Sequence, residues 1–444
     1  MKRAVILAIG LALLMTALPG GASHNADIHS DNIKLVTTWD DGGTYRSGSD
    51  IAFWKNRAVF GNLTPGGFRV MNIKKPRNIW EIGQFTCVGT QSDVSIWKDL
   101  VFVSVDQTLA SDACDSAPAS QAQFTQGTHW EGIRIVSIAD PANPQQIKTV
   151  VTDCGSHTHT LVPDTKHGRL LLYVQSYPLG APGAKCNANS HRKISVVEVP
   201  LGDPTAARVI STPTVSPAIG CHDVTYFPKR NLVGAACISE SQLWDVTDLA
   251  NPKILSHIEN PEINIHHSVA FAWDGNTMVL GDELGGAAVA PGCGDQGDSP
   301  LGSLWFYDVK DPKNPKELSS YKIPQQSRSD LCTAHNFNIV PLRKHRDILI
   351  SAWYEGGNTI VDFTNPEAPT QIGFYTPREG RESVTWSSYW YNGRIYVNNY
   401  EHGALSRGID VFQVKHGFAK RSIDLPHLNP QTQLPFKIPK KKKR

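Results

Sequence analysis

The chain has no charge of one sign to spare. Its 444 residues carry 43 basic and 41 acidic side chains, a formal net charge of +2. That balance argues against a protein held to nucleic acid by bulk charge. Beyond the N-terminal segment no apolar run approaches the roughly 20 residues that span a bilayer, so no transmembrane helix is expected. HExxH, GxSxG and GxxxxGK[ST] are all missing, which removes the main support for several hydrolase and NTPase readings. Nor is the chain polar enough for a disordered polymer: 19% of it is charged and 40% hydrophobic, so a sizeable core is expected. Length permits up to three domains at about 150 residues each, yet a closed all-β architecture can occupy the whole length as one.

The two ends differ in kind. Met1-Lys2-Arg3, an apolar run from Ala4 to Leu18, and the small residues around Gly20–Ser23 make a secretory signal peptide over 1–22. A short extension over 23–32 follows, and a secreted or extracytoplasmic location is expected. At the other end, 421–444 finishes in Lys440-Lys441-Lys442-Lys443-Arg444 and reads as a disordered basic tail that could contact an anionic cell surface.

What fills the middle is a repeat. Ile133-Arg134-Ile135-Val136-Ser137-Ile138-Ala139-Asp140-Pro141 is an apolar strand running into an Asp/Asn/Pro turn. Leu243-Trp244-Asp245-Val246-Thr247-Asp248, Leu304–Pro312 and Thr359–Pro366 repeat it, with weaker copies from Phe68, Ile194 and Ile409. Alternating β-branched and aromatic residues suit pleated strands, and Asp with Pro ends one strand and aims the next. Between the copies lie partner hairpins, with Asp274-Gly275 and Asn392-Gly393 as strong turn signals. Two hairpins per repeat, seven times over, give a single seven-bladed β-propeller across 33–420, all-β in class. The last repeat supplies three strands, so Ile33–Thr38 is expected to join the C-terminal blade and close the ring, which removes the exposed sheet edge. A ring without a free edge is expected to be monomeric.

Thr359-Ile360-Val361-Asp362-Phe363-Thr364-Asn365-Pro366 resembles the motif of the LVIVD-repeat family of secreted bacterial propellers, over roughly Ile33 to Val414. The resemblance implies a propeller and almost nothing about chemistry. Selenium-binding proteins, similar only in general architecture, carry a histidine-rich site in a comparable place.

The strand order puts long insertions at 108–127, 178–190 and 285–302 on one end of the ring, and cysteines cluster with them. Sequential disulfides are expected: Cys87–Cys114, Cys154–Cys186, Cys221–Cys237 and Cys293–Cys332. Histidines follow the same geometry. His157, His222, His267 and His335 occupy one repeat position at the start of the innermost strand, with Asp50, Asp93 and Trp386 in the other three copies. His159 lies two residues beyond His157 and so points to the same side. Glu283, Glu355 and Glu401 end second strands near the same mouth and are candidate acids or bases.

Two chemistries fit these residues. His157, His159, His222, His267 and His335 could ligate a divalent or transition metal such as Cu, Zn or Fe, making a metal-dependent oxidoreductase or hydrolase. Equally, a residue repeated in a repeated fold can serve a repeated structural role. The leading expectation is therefore a secreted binding module, holding a small ligand, glycan or protein on its disulfide-clamped loop face.

Overall fold

The computed structural model describes residues 27–40, 47–178, 191–284, 301–324, 332–343, 346–377, 383–401 and 408–438. The expected signal peptide over 1–22, the final 439–444 with their charge run, and most of the 178–190 and 285–302 insertions lie outside them. The described chain is all-β. Its α-helix, Gln121–Gln126, is capped by Ser120 within the first insertion. Among the described residues no helix is long and apolar enough to cross a membrane.

The strands pair antiparallel in chain order, in units of four, and the first and last units are joined into one larger sheet through the Tyr400–Ser47 pair. The first unit is Ser47–Trp54, Arg57–Thr64, Gly67–Asn72 and Trp80–Thr86. The second is Gln91–Trp97, Leu100–Leu109, Trp130–Ser137 and Gln145–Val151. The third is Thr158–Asp164, Arg169–Gln175, Ser195–Pro200 and Arg208–Ser211, and the fourth Val224–Phe227, Leu232–Cys237, Glu240–Asp245 and Lys253–Ile258. The fifth is His266–Phe271, Thr277–Asp282, Leu304–Asp308 and Lys316–Tyr321. The sixth, Phe337–Ile339, Ile348–Ala352, Asn358–Asp362 and Thr370–Thr376, gains Ile28–His29 at its outer edge. The last comprises Ser383–Tyr391, Arg394–Glu401, Ile409–Val414 and, from the opposite end of the chain, Ile33–Trp39 paired with Ile409–Val414.

The repeat motif explains where the third strand stops in the fourth, fifth and sixth units. Aspartates in the turn accept backbone N–H groups two residues on: Asp245 from Thr247, Asp308 from Lys310, Asp362 from Thr364. Such side-chain turns compete with ladder pairing and end the strand.

Apolar side chains pack between units rather than within them. Val59 and Val70 of the first unit share a core with Ile96 and Val103 of the second. Leu171 and Tyr173 of the third pack with Val233 and Trp244 of the fourth. Ile51 and Phe53 of the first unit also pack with Tyr389 and Tyr396 of the last. First strands touch in the same succession, each against the next, and Ser383–Tyr391 touches Ser47–Trp54.

The expected disordered tail needs correction over 421–438. Asn429 accepts from the Ile96 N–H and donates to its C=O, and Gln433 does the same with Phe271. Thr432 donates to the Leu161 C=O, Gln431 C=O accepts from the Tyr226 N–H, and His427–Leu428 pair with Phe53–Trp54. These side chains satisfy backbone groups of first strands that have no strand partner on that side. The segment is a strap, and its polar composition, which reads as disorder, is what binds it.

Of the four expected disulfides, two join described residues, Cys87–Cys114 and Cys221–Cys237. Cys154 and Cys332 are also disulfide-bonded. The partners expected for them, Cys186 and Cys293, lie outside the described residues.

Candidate metal centre

His157, His222, His267 and His335 arrive together because each sits where a unit's first strand begins. The approach to His157 is set by two successive left-handed residues, Cys154 (φ 68°) and Gly155 (φ 75°). Disulfide Cys221–Cys237 holds the approach to His222. The four rings form a row, with centroids separated by 4.6, 3.7 and 4.6 Å in chain order. The Trp386 indole continues it, 4.6 Å beyond His335.

Hydrogen bonds orient three of the rings. His157 Nδ1 lies 2.6 Å from Asp106 Oδ2, and His222 Nδ1 lies 3.1 Å from Asp223 Oδ1. His335 Nδ1 is 2.5 Å from the Trp386 C=O. A carbonyl only accepts, so the proton of His335 is on Nδ1 and Nε2 presents a lone pair. That nitrogen is 3.8 Å from Glu283 Oε1, and His267 Nε2 is 3.5 Å from Glu283 Oε2. The Tyr354 hydroxyl donates to the same carboxylate. His267 differs from its neighbours: it is 1% exposed, and neither ring nitrogen has a hydrogen-bond partner.

Burial disfavours the charged form of three of these rings. It holds His222 and His267 well below the usual imidazole range and His335 at about 4, and it raises Glu283. Burial would also raise Asp106, but the hydrogen bond and charge of His157, with hydrogen bonds from Thr90 and the backbone, together outweigh it and keep the group below the usual carboxylate range. Neutral imidazoles are what a metal requires. The ligand atoms of His267, Glu283 and His335 all lie within 4.8 Å of one another, so a small inward shift reaches the ~2.0–2.2 Å metal–ligand distances typical of zinc.

Several expectations change. His159 points to the same side as His157, but one pleat deeper, about 6.6 Å along the strand. There its ring is bonded to Ser95 Oγ (2.7 Å) and Ser104 Oγ (2.8 Å), with Asp93 at 3.2 Å. Both nitrogens are occupied, so it stands apart from the row. Asp50 and Asp93 do not occupy the histidine position. Asp50 accepts from Asn336 and Ser387, the residues that follow His335 and Trp386, so the counterparts of the histidines are Ser49 and Ser92. Glu355 falls two residues beyond the register of Glu283. Leu284 (φ 45°) and Tyr354 (φ 49°) share the left-handed position after their second strands, which leaves Glu355 partly exposed and brings the Tyr354 hydroxyl to Glu283. The side chain of Glu401 lies outside the described residues.

Tyr354, Tyr177, Asp106 and Asp223 belong to the site and were not singled out by sequence. Asp223 alone carried a signal, lying next to a repeated histidine. Tyr177 reaches His157 Nε2 at 3.3 Å from beyond the second strand of its unit, where no repeat pattern applies.

No family model and no curated protein matches the chain. Among solved structures, a functionally unknown protein from Desulfotomaculum acetoxidans DSM 771 is similar, with a TM-score of 0.49 and 9% identity. The match covers 74% of this chain and 84% of that one.

Proposed function

We propose that the chain is an exported seven-bladed β-propeller of the LVIVD-repeat type, and a metal-dependent enzyme acting on a small molecule. Support for the propeller is the unbroken succession of shared cores and touching first strands, which returns from the last unit to the first. Support for export is the disulfide bonding together with the N-terminal leader pattern.

One observation carries the metal: the wholly buried His267 has two unpartnered nitrogens, beside a carboxylate and a second imidazole whose lone pair is fixed inward. Leaving a buried polar group unpaired costs about 1–3 kcal/mol, and a cation bound at His267, Glu283 and His335 would remove that cost for the ligating nitrogen of His267. Two imidazoles and one carboxylate leave coordination positions open for water or substrate. Held by these residues, Zn would supply an activated water for hydrolysis, and Fe or Cu would add redox chemistry, so the metal found narrows the reaction class. The Tyr354 hydroxyl, hydrogen-bonded to Glu283, would orient that carboxylate toward the ion. The half-buried Tyr177, Trp386 and Tyr400 flank the row and suit a small apolar or aromatic substrate.

Elemental analysis of protein purified without an affinity tag tests the reading. Stoichiometric Zn, Fe or Cu is expected, lost in His267→Ala and Glu283→Gln while the fold is retained by circular dichroism. Folded protein that stays metal-free after exposure to each of these ions would leave the binding-module reading, which the disulfide clamps beside the row favour.

A further inference from the structure

The other half of the row is not explained by that centre. His157 Nε2 and His222 Nε2 face each other at 3.0 Å across the third and fourth units, and neither joins the His267–Glu283–His335 set within its 4.8 Å limit. An ion about 2.1 Å from each of its ligands cannot serve two atoms more than about 4.2 Å apart, so one ion does not reach the whole row as it stands.

The proton positions make the contact informative. Asp106 accepts on both oxygens, from Thr90 on Oδ1 and from His157 on Oδ2. His157 therefore carries a proton on Nδ1, and Nε2 is the nitrogen it turns toward His222. With His222 Nδ1 turned to Asp223 Oδ1, the two Nε2 atoms face each other at 3.0 Å, a contact that requires a cation, a proton or a metal ion, between them. Two nitrogens each about 2.1 Å from one metal at roughly a right angle are about 3.0 Å apart. A carboxylate on the remote nitrogen of a ligating histidine is the usual device that fixes its tautomer and ring orientation. Tyr177 Oη, 3.3 Å from His157 Nε2, offers a further oxygen at the same point.

We infer that His157 and His222 hold a second divalent transition-metal ion, next to the one at His267, Glu283 and His335, so that the row is a two-metal site. The inference rests on the metal reading above. A 3.7 Å separation of the His222 and His267 rings puts the two positions side by side, an arrangement in which paired ions clamp one substrate oxygen or water between them. No acidic cluster alone suggests this. The facing nitrogens do.

The test is calorimetric titration of chelator-stripped full-length protein with Zn2+, repeated with Co2+ for its absorbance. Two equivalents per chain are expected. His222→Asn should keep one and lose the other, and His267→Asn should do the converse. Asp106→Asn, which removes no ligand, should weaken only one of the two equivalents, by about 10–100-fold. A single equivalent untouched by His222→Asn overturns the second site and leaves the first standing; the contact is then a proton shared between the two rings. A single equivalent abolished by either substitution overturns the two-site division in favour of one rearranged ion. No binding at all overturns both readings together. Wild-type stoichiometry decides the matter even where a variant fails to fold.

Discussion

His159 and His267 are buried to the same degree, 2% and 1% exposed, and both lie in the first strand of a unit. Around His159, two serine hydroxyls and Asp93 take up the ring. Around His267, no described residue hydrogen-bonds the ring, and Glu283 approaches only to 3.5 Å. Burial alone therefore does not mark a functional imidazole; the missing partner does. One ring is part of the packing between the second and third units, and the other has no hydrogen bond from any described residue.

Substitutions should pull these two apart. His159→Leu strips a buried carboxylate, Asp93, of its imidazole and should lower stability by about 3–5 kcal/mol, read by urea unfolding, with metal content unchanged. Replacing Cys221 and Cys237 by Ser opens a loop with a sequence separation of 16 beside His222. That should cost about 3 kcal/mol and weaken metal binding, since the approach to the row is no longer held.

Protonation sharpens the contrast with opposite signs in metal-free protein. His266 is held at about 4 by burial, below its unfolded value near 6.5. Between those values only the unfolded chain binds the proton, so stability rises with pH across that window. Asp223 is raised to about 7, by burial and then by the charge on Asp93. Between about 4 and 7 only the folded chain keeps that proton, so its contribution falls as pH rises. From pH 4 to 7 the wild type should gain on His266→Asn and lose ground to Asp223→Asn, each by on the order of 2 kcal/mol; slopes of equal sign would break the account. The smallest effect belongs to His267→Leu: metal-free stability should be unchanged or slightly higher, because an unpaired polar group is exchanged for an apolar one.

How much of this was legible in the sequence follows from what each signal measures. The Asp/Pro turns announce themselves chemically, because side-chain turns are local, and from them the four-strand units follow. His222, His267 and His335 share a repeat position that local order preserves into the structure. Register in the first two units was not legible, since Ser49-Asp50 and Ser92-Asp93 offer no imidazole to align and the acid was matched one residue late. His159 obeyed the period of two that was used for it, but the period gives the side and not the depth. The strap over 422–434 was misread because Asn429, Thr432 and Gln433 find their partners in distant strands, and no composition rule reports a contact across more than a hundred residues.

The central claim is that His267, Glu283 and His335 hold a metal. Diffraction from crystals of the native exported protein, recorded on both sides of the Zn, Fe and Cu absorption edges, tests it most directly. The account predicts an anomalous peak about 2.0–2.2 Å from His267 and His335 nitrogens and from a Glu283 oxygen. Crystals soaked in all three ions that show ordered rings with no peak there would contradict it.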